Sequence, residues 1–239
     1  MAKRNYDNNY GSVTQILGVL RKIGLENWFK YNTATFCNEK SKRGREIGTQ
    51  IHEAIQSHIE KDGVKIETQY GEEVSNALKS FMLFRKEHPE IKLHKSEMPL
   101  TSKKYEYNGT LDCKGNDGVE VILDWKTGKC KKKSKPPIYD EYLYQESAYV
   151  FAYNEQEKRN VKKTYIVCFA KDKIAYNLRL LEGQELKDCF EKVFLQCLSI
   201  YNYQKKGASN GYSTRQRNSS DSERIERLGK PSTKLPSNF

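Results

Sequence analysis

The sequence has no apolar run that approaches the roughly twenty residues required by a membrane-spanning helix. Its start, Met1-Ala-Lys-Arg-Asn, leads into polar sequence and not into the apolar core of a signal peptide. It also has no CxxC pair and no histidine at zinc-finger spacing. We therefore expect no membrane association and an intracellular protein, cytoplasmic or associated with the nucleoid, with a phage-infected cell as one setting.

The six cysteines are scattered along the chain, which favours reduced thiols over a disulfide framework. Cys113 and Cys168 fall within apolar, strand-like runs, and Cys189 and Cys197 fall on a helical stretch. Buried, unreactive cysteine is the expected result.

The sequence has fewer acidic than basic residues, with 31 Asp and Glu against 42 Lys and Arg. The formal net charge is therefore +11 and the pI is about 9.2. A basic surplus in a chain with sixteen tyrosines favours a polyanionic partner over a neutral protein surface. Nucleic acid is preferred over a charge that serves only solubility.

The length of 239 residues is enough for one α/β domain with a sizeable core. We expect this domain to span residues 1–206, with a helical part at about 12–90 and a sheet with its helices at about 91–203. Residues 207–239 are rich in Ser, Asn, Gly and Arg and predict a disordered basic tail.

Hydrophobic periodicity predicts the order helices, three strands, helix, two strands, helix. The clearest early helix is expected to begin at Gly48, because Ile51, Ile55 and Ile59 then form one apolar stripe. The other predicted elements are one or two short helices within 12–30, a helix at 72–88, strands from 91 onward, a helix from 139, strands at 161–170 and 174–181, and a helix at 184–203.

Two of the central strands carry carboxylates near their ends. The run from Gly118 to Thr127 alternates as a strand that leaves a tight turn, and Asp124 and Lys126 fall on the same face of it. A short turn joins this run to the preceding strand, which brings Asp112 close to Asp124. A carboxylate that can hold a divalent cation beside a lysine that faces the same phosphate or water is what phosphodiester hydrolysis requires.

Other candidate residues stand on neighbouring elements. His52 lies beside the apolar stripe of its helix, where a partly buried, hydrogen-bonded histidine is the common alternative to a ligand. Glu97 falls in the strand that leads to the hairpin. Gln145 and Tyr149 are one turn apart on the helix that begins at 139 and can present an amide and a phenol together.

A basic run follows Lys126 and ends at two prolines. It is either a solvated loop or a loop that contacts phosphates, and its position next to the predicted site keeps both interpretations open. Its candidate DNA-binding residues are Lys129, Lys131, Lys132 and Lys133.

Taken together, these positions resemble the RecB-like branch of the PD-(D/E)XK nuclease superfamily, and in particular its small stand-alone exonucleases of phage, CRISPR-associated and mitochondrial genome maintenance types. The resemblance covers about residues 12 to 200. It is carried by a GxxxH helix, a GxxD strand, a DxK strand and a QxxxY helix, which correspond to Gly48 to His52, Gly109 to Asp112, Asp124 to Lys126, and Gln145 to Tyr149.

The resemblance implies an α/β fold with a restriction-endonuclease-like core, in which helices flank a central mixed β-sheet, plus N-terminal helices. His52, Asp112, Asp124 and the Trp125 carbonyl would bind Mg²⁺ or Mn²⁺, and Lys126 would orient or activate the attacking water. Glu97 would belong to the catalytic set, and Gln145 and Tyr149 would contact DNA. No iron-sulfur cluster is expected, because Cys189 and Cys197 are the only late cysteines.

The expected function is metal-dependent exonuclease cleavage of DNA at single-stranded ends, in processing, recombination or repair, and the expected partner is DNA with single-stranded or duplex ends. Two alternatives remain, an endonuclease of the same fold and a DNA-binding module without catalysis. The retained His, Asp and Lys set argues against the binding module, because carboxylates that face a phosphate repel it.

Overall fold

The computed structural model describes residues 8–60, 71–130 and 132–209. Within these ranges the helices flank one mixed sheet, which confirms the predicted fold class. The helices are α1 (Val13–Leu17), α2 (Ile23–Lys30), α3 (Ala34–Glu60), α4 (Glu72–Glu87), α5 (Asp140–Glu157), α6 (Gly183–Asp188) and α7 (Leu195–Ser209), with a π-helical turn at Cys189–Phe194 between the last two. The strands are β1 (Gly11–Ser12), β2 (Lys92–Ser102), β3 (Tyr107–Asn116), β4 (Glu120–Gly128), β5 (Lys163–Ala170) and β6 (Tyr176–Glu182).

The sheet is organised around β3. Strand β2 pairs antiparallel with it along one edge. Its other edge is shared by β1, which pairs with residues 107–108, and by β4, which pairs with residues 113–116. Strand β4 then pairs in parallel with β5, and β5 pairs antiparallel with β6. The predicted hairpin and the two later strands are therefore confirmed.

The β3–β4 hairpin opens at the predicted site. The last pair in its ladder is Cys113 with Leu123, and beyond it β4 pairs only with β5 among the described residues. Residues 109–112 of β3 consequently lie between the short β1 ladder and the β4 ladder. Asp112 is next to Cys113 in β3, and Asp124 is next to Leu123 in β4. Both carboxylates therefore lie at the gap where the two strands separate.

Helices α3 and α4 cover one face of the sheet. Phe81 and Phe84 of α4 are fully buried and pack edge-on against Trp125 of β4, with ring centroids 6.0 and 6.1 Å apart. Ile51 and Ile55 of α3 belong to the same core cluster. Burial of each such side chain contributes about 1.5–3 kcal/mol, so this layer fixes α3, and His52 with it, against the sheet.

Helix α5 covers the opposite face. The buried Tyr107 hydroxyl donates to the Ala148 carbonyl at 2.8 Å, which ties β3 to the middle of this helix. Tyr107 also packs edge-on against Phe194 of the π-helical turn. The face of α5 that carries Gln145 and Tyr149 is thereby held at the gap between β3 and β4.

The structure differs from the sequence prediction mainly in α3, which begins at Ala34 and not at Gly48. Its first half has little apolar periodicity, since Cys37 and Ile47 are its buried hydrophobic residues. Charged residues there favour a helix through propensity and not through an apolar stripe. The two-residue strand β1 is too short to give a period-2 signal, and the last predicted helix is interrupted by the π-helical turn.

The described residues up to Cys197 form one compact unit, and those from Leu198 onward belong to a second. Helix α7 continues to Ser209, and residues 210–239 of the predicted tail lie outside the described part of the chain. All six cysteines are buried and unpaired, as expected for reduced thiols. None of the helices in the described ranges combines the length and apolar character needed to cross a bilayer.

Candidate active site

Three predicted residues from three elements meet in one cluster. His52 Nδ1 lies 3.6 Å from Asp112 Oδ1 and 3.8 Å from Glu97 Oε1. One ligand atom from each of the three side chains lies within 4.8 Å of the others, a separation that a single metal ion can bridge. Their side chains are partly buried. The ring faces two carboxylates, and the assignment of His52 as a metal ligand stays a prediction beside that of a partly buried, hydrogen-bonded histidine.

Glu97 reaches the cluster through an unusual backbone conformation. It lies between the ladder pairs Ser96–Cys113 and Met98–Leu111, directly opposite Asp112. Its φ of 53° is left-handed, a conformation that a non-glycine residue adopts at a cost of about 1–3 kcal/mol. Such strain inside a strand occurs where the surrounding structure holds a side chain in a particular direction, and here that direction is towards His52.

Asp112 is fixed by the neighbouring strand. Its Oδ2 accepts the backbone N–H of Trp125 at 2.8 Å, beyond the point where the β3–β4 ladder ends. The Trp125 side chain is buried on the α4 side of the sheet, so its backbone is the part that borders the cavity. The Trp125 carbonyl stays a predicted metal ligand.

The buried Asp124 and the partly buried Lys126 form an ion pair, with Lys126 Nζ 2.5 Å from Asp124 Oδ2. Burial raises the pKa of the Asp124 carboxyl to about 6, against the opposing effect of Lys126. Burial would lower the pKa of Lys126, but Asp124 and Asp112 outweigh it and hold the ammonium protonated. Lys126 is therefore a positive group in the site and not a proton acceptor.

The residues fit a divalent cation. Both Asp124 carboxylate oxygens are buried and accept no aligned hydrogen bond from the described residues. An imidazole and carboxylates together offer the nitrogen and oxygen donors that suit Mg²⁺ and Mn²⁺. Burial lowers the pKa of His52, but Asp112 and Glu97 reverse this and raise it, so the cluster already favours a positive charge at this point.

These side chains border a cavity of about 520 Å³. Across it, Gln145 Nε2 donates to the Tyr149 hydroxyl at 2.6 Å, so the predicted amide and phenol act as one unit. Gly109 allows the Tyr149 ring to approach β3, because a Cβ at this glycine would lie 2.6 Å from Tyr149 Cε1. The glycine of the GxxD strand is therefore explained by close packing.

The structure adds residues that sequence reasoning missed. Ser12 and Thr14 border the cavity from β1 and α1, and Tyr142 borders it from α5. Ser12 also caps α1 through a reciprocal contact with Gln15, so the S-x-x-Q spacing was a usable signal for a helix start. No comparable sequence signal distinguishes Tyr142 from the other tyrosines of its helix.

Glu146 is a further buried carboxyl that the sequence did not single out. The Thr164 hydroxyl lies 2.5 Å from Glu146 Oε1 and 2.9 Å from the Ile122 carbonyl, and it has one proton for two acceptors. Burial raises the pKa of Glu146 well above its ordinary value, and the nearby Asp124 raises it further. A protonated Glu146 would satisfy the Thr164 oxygen and leave Asp124 as the negative group.

The predicted loop lysines lie beside the cluster, not in it. Lys129 Nζ pairs with Glu73 Oε1 at 2.8 Å. Lys129, Lys132 and Lys133 border an adjoining cavity. Lys131 lies outside the described residues.

Comparison with known proteins supports the fold. No protein-family model matches the sequence, and no curated protein matches it. Among solved structures, a candidate exonuclease from Eubacterium rectale matches with a TM-score of 0.53 at 13% identity, over 99% of this chain and 96% of that chain. The chain therefore shares the fold of that protein.

Two further solved structures match with lower scores. An alkaline exonuclease from Laribacter hongkongensis matches with a TM-score of 0.39 at 12% identity, over 84% of this chain and 94% of that chain. The same enzyme in complex with dAMP matches with a TM-score of 0.36 at 13% identity, also over 84% and 94%.

Proposed function

We propose that the protein is a metal-dependent deoxyribonuclease that hydrolyses phosphodiester bonds, and that it acts as an exonuclease at DNA ends. The observation that carries this proposal is the meeting of His52, Glu97 and Asp112 at the gap where Asp124 and Lys126 also lie. A structural role alone gives no reason to collect three acidic side chains and a histidine around a solvent-accessible cavity.

His52, Asp112, Asp124 and the Trp125 carbonyl would hold the metal, with Mg²⁺ as the natural choice and Mn²⁺ at least as effective in vitro. When bound, the cation neutralises phosphate charge and makes a coordinated water more acidic. Glu97 faces the same point and would bind directly or through a water. The Trp125 N–H keeps Asp112 in place, so the ligand set is organised before the metal arrives.

Lys126 contributes a fixed positive charge. Its ammonium can donate to the attacking water or to a non-bridging phosphate oxygen, and it stabilises the negative charge that grows in the transition state. Its pairing with Asp124 in the absence of DNA holds it in the site. Gln145 and Tyr149 would steady the DNA strand across the cavity, with no proton transfer required of them.

DNA is the proposed substrate because the chain is strongly basic and because a lysine-bordered cavity adjoins the metal site. The exonuclease assignment draws on the shared fold of the Eubacterium rectale protein, which is itself named as a candidate exonuclease. The four motifs support the proposed assignment of the protein to the RecB-like branch of the PD-(D/E)XK superfamily. A single-stranded end is the proposed site of attack, within DNA processing, recombination or repair.

The proposal is tested with end-labelled linear and circular DNA, single- and double-stranded, and with matching RNA, each incubated with Mg²⁺, Mn²⁺ or EDTA. We expect mononucleotides or short products from linear DNA in either metal and none in EDTA. Cleavage of circular DNA at the linear rate would assign an endonuclease instead. Binding of linear DNA without cleavage under any metal would favour the non-catalytic module.

A further inference from the structure

A second cavity continues from the metal site along the end of β4. It measures about 780 Å³, against about 520 Å³ for the metal cavity, and Thr127 borders both. Thr127 follows Lys126 directly in the chain. The two cavities therefore adjoin at the end of β4.

The second cavity is basic. Lys129, Lys132 and Lys133 border it from the loop after β4, and Lys171 borders it from the turn between β5 and β6. No acidic side chain of the described residues lines it. Lys129 shares Glu73 with Arg43, whereas Lys171 makes no ion pair within the described ranges. Burial lowers the pKa of the partly buried Lys171, a cost that a phosphate beside it would offset.

Two aromatic side chains in contact border the two cavities, Tyr139 the second cavity and Tyr142 the metal cavity. Tyr139 borders the second cavity and is 55% exposed. It packs edge-on against Tyr142, with ring centroids 5.5 Å apart, and Tyr142 in turn lies 5.3 Å from Lys126 Nζ on the metal side. The contact with Tyr142 thus orients the ring of Tyr139, and the exposed part of this ring is available for stacking with a base.

A third cavity next to this one is mixed in charge. Lys129 and Lys171 also border it, together with Lys40 and Arg43, and Glu72, Glu73 and Asp172 contribute negative charge there. The lining of the second cavity has no acidic side chain among the described residues, so a polyanionic strand is attracted more strongly to the second cavity than to the third.

We propose that this second cavity is a nucleotide-binding subsite for single-stranded DNA, in which Lys171 contacts a backbone phosphate and Tyr139 stacks with a base next to the scissile position. The inference rests on the proposed function for the identity of its ligand, and it adds Lys171 and Tyr139 to the loop lysines. Stacking between a base and an aromatic ring requires an unpaired base, so the subsite favours a single strand over a duplex.

The test measures binding of a fluorescent oligothymidine and of an abasic oligomer of the same length, in EDTA, so that no cleavage occurs. We expect Lys171→Gln to weaken binding of both oligomers and to reduce the salt dependence by about 0.7 units of slope for the lost phosphate contact. Tyr139→Ala should weaken oligothymidine binding roughly tenfold and leave the abasic oligomer unchanged, and Tyr139→Phe should restore it.

Controls separate this inference from folding and from catalysis. Lys192→Gln changes an exposed lysine that pairs with Asp188 and should leave both the affinity and the salt slope unaltered. Lys171→Arg should retain binding, which identifies a charge effect. Unchanged affinity and slope in Lys171→Gln, or equal losses on both oligomers in Tyr139→Ala, would overturn the subsite. Lys126→Ala measured for cleavage tests the proposed function separately, since the binding results do not depend on turnover.

Discussion

The Asp112 carboxylate accepts the backbone N–H of Trp125 at 2.8 Å, at the point where β3 and β4 stop pairing. One oxygen of Asp112 therefore organises the strand, while the other lies 3.6 Å from His52 Nδ1. Trp125 stands between Asp124 and Lys126 in the chain. The same hydrogen bond consequently holds Asp112 of β3 next to the segment of β4 that carries Asp124 and Lys126.

This double role predicts different results for two substitutions of Asp112. Asp112→Asn keeps an oxygen that can accept the Trp125 N–H, so it should retain the parent melting temperature in EDTA and lose Mn²⁺ affinity. Asp112→Ala should lose both, with an added destabilisation of about 1–3 kcal/mol from the unpaired N–H. Calorimetric Mn²⁺ titration and thermal melts make the comparison, and equal melting temperatures for the two variants would refute the structural role.

His52 is predicted to be a metal ligand. His52→Ala should weaken Mn²⁺ binding by about tenfold to a hundredfold and should be partly rescued at higher Mn²⁺, because a missing ligand lowers affinity without removing the site. His94→Ala, which alters an exposed histidine on β2, serves as the control. A histidine with only a packing role would instead lower the melting temperature in EDTA and leave the Mn²⁺ titration as in the parent.

Gly109 is predicted to be required by the Tyr149 ring. Gly109→Ala should destabilise the protein by about 1–3 kcal/mol, because its Cβ would lie 2.6 Å from Tyr149 Cε1 in a packed site. Urea unfolding measures the loss. The double variant Gly109→Ala with Tyr149→Ala should show less than the sum of the two single losses. Strict additivity would mean that the two residues do not compete for space.

The buried Glu146 predicts a pH dependence of stability. Its pKa is higher in the folded state than in the unfolded chain, so its contribution to stability is full below about pH 4.5 and falls as pH rises above that value. Glu146→Gln cannot lose a proton. The stability of this variant relative to the parent should therefore increase between pH 5 and pH 8, by up to roughly 1.4 kcal/mol for each pH unit crossed. A stability difference that does not change with pH would show that Glu146 is ionised in the fold.

The sequence predicted the elements that have a clear period. The hairpin, the parallel-paired β5 and helix α5 all carry alternation or an i, i+4 pattern, and their existence is confirmed. The start of α3 was placed at Gly48 because the residues before it have no apolar stripe, although the helix begins at Ala34. Propensity alone rarely identifies such a segment when no packed face accompanies it.

The sequence selected the candidate residues of the site but not their geometry. The four motifs identified His52, Asp112 and Asp124, and the structure brings them to one gap. The left-handed Glu97, the opening of the hairpin and the burial of Asp124 depend on tertiary packing. Glu146 could not be identified from sequence, because its raised pKa arises from burial against β5 and from the charge on Asp124.

The most direct test of the central claim is the cleavage rate of end-labelled linear DNA by the parent and by Lys126→Ala, in Mg²⁺, in Mn²⁺ and in EDTA. Lys163→Ala is the matched control, because Lys163 pairs with Asp117 at 2.8 Å, near the closed end of the hairpin. We predict metal-dependent cleavage by the parent and the control, and a rate lower by on the order of a hundredfold or more in Lys126→Ala with DNA binding largely retained. Cleavage by Lys126→Ala within about tenfold of the parent rate, or equal cleavage in EDTA, would contradict the assigned site.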